Sequence, residues 1–252
     1  MQKTGRSSVR ILCCVLLLAL LFSVFSTAAA EETDVLAEYL PMLVNKDYPV
    51  SEDFIPADLV LLAEVLNSSL VKVKSKDIKA VRTAAEALET MLEAAAADGV
   101  KNWQINTAYR SIADQKKLLD NRIRSYMKNN NLSRSRATAR ALRTVAEPGC
   151  SEHQLGLAFD MNVPGKTFKG TKQCKWLHEH CWEYGFILRY QEGKESVTGY
   201  VAEAWHIRYV GVEHALKIRD LGMCLEEYLE YAENTEPEWL VEEIPLEDLL
   251  AS

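Results

Sequence analysis

Apolar residues recur along much of the chain at the spacing of amphipathic helices. In residues 77–97 they return every three or four positions, Ser75 precedes the pattern as a possible cap, and Gly99 ends it. Similar patterns predict helices at 112–128, 133–146 and 172–184, and again from residue 213 onward. Residues 31–60 contain three prolines and are expected to form short helical turns.

Residues 156–163 follow a different pattern, because large apolar side chains alternate there with small or polar ones. This period of two predicts a strand with one core face. Asp160 lies on the other face among small neighbours that leave room for a ligand, so we expect this strand to border a site. Further strands are predicted at 103–109, 186–190 and 204–210. Helices interleaved with antiparallel strands indicate a single α+β domain with a small antiparallel sheet.

The first 30 residues differ from the rest in composition. Three basic residues are followed by the apolar run 11–24 and then by small residues that end at Ala30. This order is typical of a secretory signal peptide cleaved after Ala30, but the run is also long enough for an uncleaved membrane anchor. Under either interpretation we expect the remainder to be exported, with membrane contact only through this segment.

Charged residues are distributed unevenly along the whole chain. The formal net charge is −7, and residues 225–252 hold ten acidic residues and no Lys or Arg. No basic patch suits a nucleic acid, and the acidic end is expected to be a solvated arm. The predicted organisation is therefore a signal or anchor (1–30), an N-terminal arm (31–70), a catalytic domain (71–224) and an acidic tail (225–252), in a chain that is expected to be monomeric.

Four cysteines follow the signal-like segment, at positions 150, 174, 181 and 224. Cys174 and Cys181 lie on one predicted helix, about 10 Å apart along its axis, which is too far for a disulfide between them. An oxidising compartment permits other pairings. Free buried thiols and a disulfide that involves Cys150 or Cys224 therefore both stay open.

A candidate metal site is formed by two histidines and a carboxylate, His153, Asp160 and His206, which lie on separate predicted elements. Such a set can occupy three corners of a tetrahedral zinc site and leave the fourth to water. Glu203, just before His206, would be the base that acts on this water. Any one of these residues alone is more often a packed or surface residue, and only the set together indicates a metal site.

The other histidines are expected outside this site. His178 and His180 lie two residues apart on a predicted helix, so they point in different directions, and we expect them at the surface. His214 is interpreted as a residue at the start of the last predicted helix.

Three segments resemble motifs of one enzyme family. Residues 151–160, SEHQLGLAFD, resemble the metal motif Ser-x-His-x-x-Gly-x-x-x-Asp of the VanY-type zinc D-alanyl-D-alanine carboxypeptidases. Residues 203–211, EAWHIRYVG, are similar to their second motif, Glu-Pro-Trp-His-x-Arg-Tyr-Val-Gly. Residues 108–111, AYRS, are similar to their Gly-Tyr-Arg-Ser segment. The resemblance extends over residues 40–220 and implies cleavage of the terminal D-alanine from peptidoglycan stem peptides.

The resemblance also assigns roles to residues. It implies one zinc ion per chain, held on the face of the sheet by His153, Asp160 and His206. It makes Glu203 the general base, and it places Arg110 at the scissile carbonyl, where a guanidinium stabilises the oxyanion. The residues that it places near the substrate are Ser151, which would hold the terminal carboxylate, Gln115, Tyr109 and Trp205.

Two positions depart from the family pattern. Ala108 replaces the usual Gly and Ala204 replaces the usual Pro, although neither change removes a catalytic group. Three positions separate Glu203 from His206, and in a regular strand this spacing would put them on opposite faces. We therefore expect Glu203 at an irregular strand entrance, which Pro would have stiffened.

The sequence leaves several alternatives open. Related zinc peptidases include L,D-carboxypeptidases and D,D-dipeptidases that act on similar wall peptides. A non-catalytic, wall-binding module with a structural zinc is a further alternative, but such a site has no use for the base Glu203 or the oxyanion donor Arg110. In the last alternative, a generic exported domain, all of these residues would be structural.

Overall fold

The computed structural model describes residues 40–163, 165 and 167–235. The predicted signal or anchor at 1–30, the start of the arm and the chain from residue 236 lie outside these residues. From Met42 onward the described residues belong to one compact unit, so the described part of the predicted arm is not a separate body. None of the helices in the described ranges has both the length and the apolar character needed to span a membrane.

The fold is organised around a five-stranded sheet with the strand order β2-β4-β5-β7-β6, beside a two-stranded sheet of β1 and β3. The strands are β1 (Leu59–Leu61), β2 (Val71–Val73), β3 (Lys79–Val81), β4 (Trp103–Thr107), β5 (Ala158–Asn162), β6 (Phe186–Leu188) and β7 (His206–Tyr209). Only the pair β2–β4 is parallel among these strands. The predicted α+β class and the predominantly antiparallel sheet are therefore confirmed.

Eight α-helices surround the sheets in the described part of the chain. They are α1 (Leu62–Val65), α2 (Arg82–Ala97), α3 (Ile112–Asn130), α4 (Arg134–Ala141), α5 (Lys172–His180), α6 (Glu195–Thr198), α7 (Val212–Leu221) and α8 (Leu225–Asn234). Two 3-10 turns lie at Glu152–Leu155 and Cys181–Tyr184.

Several predicted boundaries were wrong. The helix predicted from residue 77 begins only at Arg82, because residues 79–81 form β3, and Ser75 does not cap it. The helix predicted at 133–146 ends at Ala141. The described part of 31–60 holds no helix, and β1 begins at Leu59 within it.

The buried core includes the apolar face of α2 and one face of β5. Leu88, Met91 and Leu92 on this face are at most 1% exposed, and the alternating residues Phe159 and Met161 of β5 are equally buried. Each such side chain contributes about 1.5–3 kcal/mol through burial. The strand that carries Asp160 is therefore anchored in the core through Phe159 and Met161.

The acidic end of the chain differs from the prediction in its first ten residues. Residues 225–234 form α8, whose side chains Leu225 and Tyr228 are buried. Glu227 caps the start of this helix through the backbone N–H of Cys224. This part of the predicted solvated arm is thus packed into the domain. The four cysteines of the described residues are buried and free.

Candidate active site

The antiparallel pairing of β5 with β7 brings two of the predicted metal ligands together. Asp160 lies directly opposite His206 in the register of the two strands, and opposite residues in such a pair project to the same face. The Nδ1 atom of His206 lies 3.2 Å from Oδ1 of Asp160.

His153 reaches the same point from the 3-10 turn that precedes β5. Ser151 and Gln154 form a capping box at the start of this turn, and Gly156 ends it with a φ of 68°. A Cβ atom at Gly156 would lie 3.0 Å from Leu59 and 3.2 Å from Val81, so both the backbone conformation and the packing require glycine.

The side chains of His153, Asp160 and His206 form a group that could hold a metal ion, because one ligand atom of each lies within 4.8 Å of the others. The Nδ1–H of His153 donates to the carbonyl of Ala108 at 2.6 Å, which leaves Nε2 free on the side of Asp160, 3.6 Å from its carboxylate. Two imidazoles and one carboxylate are a donor set that suits zinc. The residues present therefore fit the predicted ion.

The charges of this cluster are strongly coupled. Burial raises the pKa of Asp160, but His153 and His206 outweigh it and hold that pKa well below its usual range. Burial lowers the pKa of His206, but contacts with Asp160 and Glu152 outweigh it and raise that pKa to about 9. The pKa of His153 is lowered by burial and by Arg110. A cation at this position would therefore take the place of a proton on His206.

Glu203 lies on a turn immediately before β7. The backbone N–H of His206 donates to the carbonyl of Glu203 at 3.4 Å, and the strand begins only at His206. This arrangement confirms the expected irregular entrance and brings Oε2 of Glu203 within 3.8 Å of Nδ1 of His206. Burial, reinforced by the charge of Asp160, raises the pKa of Glu203 to about 7. A carboxyl group with such a pKa is suited to exchanging protons near neutral pH.

The surface position predicted for His178 was wrong, whereas His180 lies at the surface as predicted, with its side chain 34% exposed. His178 is half-buried and its Nε2–H donates to the carbonyl of Ala204 at 2.9 Å, beside Glu203. One side of the His180 ring lies against Trp176 in a tilted contact, at a centroid distance of 4.7 Å. His214 lies on α7, away from the cluster, and is hydrogen bonded to Tyr228.

Arg110 is held in place through both its backbone and its side chain. Its backbone N–H donates to the carbonyl of His153 at 2.9 Å, and its carbonyl accepts from Gln154 at 3.0 Å. Its guanidinium donates to Gln115 at 2.6 Å, and Gln115 donates to the carbonyl of Ala146. Burial lowers the pKa of Arg110. The guanidinium is thus fixed relative to the His153 turn.

A cleft of about 490 Å³ opens over these groups. Besides the three candidate ligands, its lining includes Arg110, Gln115, Ser151, Glu203 and Trp205. The indole of Trp205 is 39% exposed, whereas Ser151 and Gln115 are buried beneath the cleft. Tyr109, which was predicted to contact the substrate, does not belong to this lining, and its backbone N–H bonds to Lys79.

Two residues near the cluster were not predicted from the sequence. The ring of Tyr190 lies against His206 at a centroid distance of 4.9 Å. Glu152 is fully buried; burial alone would raise its pKa, but Arg189 and Arg208 outweigh it and hold that pKa well below its usual range. Glu152 occupies a variable position of the metal motif, so the motif gave no signal for it.

A sheet that presents a His-Asp-His cluster, a glutamate with a raised pKa and an adjacent arginine defines a candidate metal-dependent hydrolase. Comparison with known families is more specific. The family model VanY, D-alanyl-D-alanine carboxypeptidase, matches residues 77–212, and the chain belongs to this family.

Individual relatives show the same relationship. The chain is 36% identical to a D-alanyl-D-alanine carboxypeptidase of Enterococcus faecalis over 202 residues, which are 80% of this chain and 70% of that protein. The chain also matches a solved structure of a variant of the vancomycin resistance D,D-pentapeptidase VanY, from a VanB-type cassette, in complex with Zn(II). The TM-score is 0.64 and the identity is 35%, and the match covers 75% of this chain and 97% of that one. The structure of the LD-carboxypeptidase LdcB matches with a TM-score of 0.62 and 35% identity, over 75% of this chain and 84% of that one.

Proposed function

We propose that this protein is a zinc-dependent D-alanyl-D-alanine carboxypeptidase that removes the terminal D-alanine from peptidoglycan stem peptides. The observation that carries the proposal is the convergence of His153, Asp160 and His206 beside Glu203 in an open cleft. The relative from E. faecalis bears the name of this activity.

In this proposal one zinc ion is held by His153 Nε2, an Asp160 oxygen and His206 Nδ1. These are the atoms that face one another in the cluster. When bound, such an ion acts as a Lewis acid and lowers the pKa of a bound water to about 7 in favourable sites. The VanY structure with Zn(II) supports the choice of metal.

The chain's own groups then provide the proton transfers and the charge stabilisation. Glu203 accepts the proton of the attacking water and later returns a proton to the nitrogen of the leaving D-alanine. Arg110 donates to the oxygen of the penultimate carbonyl as negative charge develops on it. Gln115 keeps the guanidinium in place through its 2.6 Å hydrogen bond.

Substrate binding is proposed for the polar and aromatic residues of the cleft. Ser151 would hold the terminal carboxylate, and Trp205, which is 39% exposed, offers an apolar face to the peptide. Gln115 acts through Arg110. Tyr109 lies outside the cleft lining, so its contribution would be to place the Arg110 segment through its backbone.

The likeness to LdcB favours one alternative, an L,D-carboxypeptidase. Mass spectrometry of stem peptides incubated with the zinc-loaded protein separates the two activities. We expect pentapeptides ending in D-Ala-D-Ala to lose one alanine and tetrapeptides to stay intact. Loss of alanine from tetrapeptides alone would assign the L,D activity, and release of D-Ala-D-Ala would assign a dipeptidase.

We also propose that the protein acts outside the cytoplasm. The basic, apolar and small-residue order of residues 1–30 supports export. N-terminal sequencing of the exported protein is expected to begin at Glu31. An intact N-terminus in the membrane fraction would assign residues 1–30 as an anchor instead.

A further inference from the structure

A buried cluster of charges lies directly behind the candidate metal site. Both carboxylate oxygens of Glu152 are inaccessible, and its side chain is 0% exposed. Oε1 accepts from Arg189 Nε at 2.7 Å and from Arg208 at 3.0 Å. Oε2 has no hydrogen-bond partner among the described residues. An unpaired carboxylate oxygen in such a position is unfavourable unless a donor can reach it.

The atom that faces this oxygen is Nε2 of His206, at 3.6 Å. Within the described ranges these two atoms are the only buried side-chain nitrogen or oxygen atoms without a hydrogen-bond partner. The other ring nitrogen of His206, Nδ1, points the opposite way, towards Asp160 and Glu203. The imidazole thus lies between the metal side and the Glu152 side.

This geometry determines which ring nitrogen can bind a cation. A neutral imidazole carries one N–H, and an acceptor at Nε2 keeps the hydrogen there and leaves the lone pair of Nδ1 for the metal. His153 is held in the opposite sense, because its Nδ1–H donates to the carbonyl of Ala108. His153 would therefore bind a metal through Nε2 and His206 through Nδ1. Of the two rings, only that of His206 has a carboxylate facing the nitrogen that does not bind the metal.

Glu152 is in turn linked to the last helix of the described chain. Arg189 binds Glu152 with Nε and binds Glu226 of α8 with both terminal nitrogens, at 2.8 and 2.6 Å. Asn45 also donates to Glu226, at 3.3 Å. With two arginines and two glutamates the cluster has no net charge, and it reaches this balance only when Glu226 is included.

We propose that Glu152 is a positioning residue that orients His206 for metal binding through Nδ1, and that Glu226 supports it through Arg189. The first ten residues of the acidic end would then contribute to the metal site without touching it. This inference rests on the proposed zinc site, and its test measures zinc binding separately from peptide cleavage.

The test compares zinc affinity, measured by competition with a chromophoric chelator, in the full chain and three variants. We expect Glu152→Gln to weaken zinc binding by about 10- to 100-fold, the usual effect of losing a partner that orients a metal ligand. Glu226→Gln should weaken it less but in the same direction. Glu230→Gln is the matched control, because Glu230 is an exposed residue of the same helix, one turn beyond Glu226. It should bind zinc like the wild type.

Should Glu152→Gln fail to fold, Glu226→Gln carries the test, because its side chain is 13% exposed and lies one step further from the metal. Nitrogen-15 NMR of zinc-loaded wild type adds a readout that needs no variant. The expected spectrum shows His206 bound to zinc through Nδ1, with a slowly exchanging proton on Nε2.

Metal on Nε2 of His206, or equal zinc affinity in wild type and Glu226→Gln, would overturn the inference and leave the proposed function intact. A wild-type protein that bound no zinc at all would overturn the proposed function, and the inference with it.

Discussion

Asp160 and Glu203 are the two carboxylates on the Nδ1 side of His206, and their surroundings give them different chemistry. Asp160 interacts with both histidines and stays ionised. Glu203 is similarly enclosed, but it approaches His206 only to 3.8 Å, and its pKa is raised to about 7, chiefly by burial. An ionised group suits a metal ligand, whereas a group that titrates near neutral pH suits a base. The environment thus separates the two roles within a few ångströms.

Glu203→Gln tests the assignment of the base. The amide keeps the shape of the side chain but cannot accept the proton, so we expect zinc to be retained and turnover to fall by at least ~100-fold. Elemental analysis and steady-state kinetics measure the two effects. Glu195→Gln, an exposed residue of α6, is the control with the same change. Near-normal turnover in Glu203→Gln would remove Glu203 from the mechanism.

The same substitution should stabilise the metal-free protein at high pH. The folded-state pKa of Glu203 is about 7, against its ordinary value of 4.5, so its ionisation progressively destabilises the folded state as pH rises from about 4.5 to 7. Glutamine removes this destabilisation, so the variant should gain at most about 3 kcal/mol in the free energy of unfolding. Thermal unfolding with a chelator present should show a higher Tm for the variant at pH 8 and little difference at pH 4. A lower Tm at pH 8 would show that the ionised carboxylate is stabilised in the fold.

Arg110 and Ser151 are expected to act at different stages. Lys lacks the planar fork of a guanidinium, so Arg110→Lys should lower kcat strongly and change KM little if this group stabilises the transition state. Ser151→Ala should raise KM instead, because its contact would be made in ground and transition states alike. Kinetics on acid and amidated peptides measure both effects. A rise in KM alone for Arg110→Lys would make Arg110 a binding residue.

At the scale of elements, the sequence predicted single strands better than their pairing. The alternation around Asp160 correctly predicted that it lies on the open face of β5. Its position opposite His206 could not be predicted, because the register between β5 and β7 depends on two segments that are distant in the sequence. The short strand β3 was hidden because residues 79–81 share the apolar spacing of the helix that follows. The irregular entrance at Glu203 was predictable, because the spacing of two functional residues conflicted with a regular strand.

Long-range ion pairs were the least predictable feature. Acidic composition suggested a solvated arm from residue 225, yet Leu225 and Tyr228 are spaced to share one buried face of α8. Glu226 is neutralised by Arg189, which lies 37 positions earlier in the chain. No local pattern indicates which glutamate will meet a buried arginine. The buried Glu152 escaped notice for the same reason.

The turn before β7 offers a substitution that should stabilise the fold. Ala204 occupies the second position of the turn closed by His206 N–H and the carbonyl of Glu203, a position at which proline is favoured. We expect Ala204→Pro to raise the free energy of unfolding by about 0.4–1 kcal/mol by restricting the unfolded chain, with activity retained. Chemical denaturation and kinetics measure this, and Val201→Pro, two residues before Glu203, serves as the comparison. Loss of activity in Ala204→Pro would mean that the turn has another geometry when substrate binds.

At the scale of the whole molecule, the two ends of the described chain meet behind the active site. Arg208 of β7 donates to the carbonyl of Met42 at 2.9 Å, and Arg189 pairs with Glu226 of α8. The sheet that presents the candidate ligands is therefore supported by segments from both ends of the described chain. Metal binding and global stability should be coupled as a result.

Zinc should stabilise the folded protein, and more at pH 8 than at pH 6. The pKa of His206 in the metal-free protein is about 9, above its unfolded value of about 6.5. The protonated ring therefore adds stability that is complete below pH ~6.5 and is lost as pH rises through about 9. Zinc must displace this proton, so its affinity should increase about tenfold for each unit by which pH rises, up to about pH 9.

The gap in stability between the metal-bound and metal-free proteins is therefore wider at pH 8, because zinc binds more tightly there. At a fixed free zinc concentration that is 100 times the Kd at pH 8, binding adds about 2.7 kcal/mol to stability at pH 8 and less at pH 6. An increase of about 2.7 kcal/mol corresponds to a rise in Tm of roughly 5–10 °C for a domain of this size. Differential scanning fluorimetry with zinc and with a chelator at the two pH values measures this difference. His206→Ala should abolish the zinc-dependent shift at both. A shift that is equal at pH 6 and pH 8 would mean that His206 is already neutral before the metal binds, and a shift that survives in His206→Ala would remove His206 from the site.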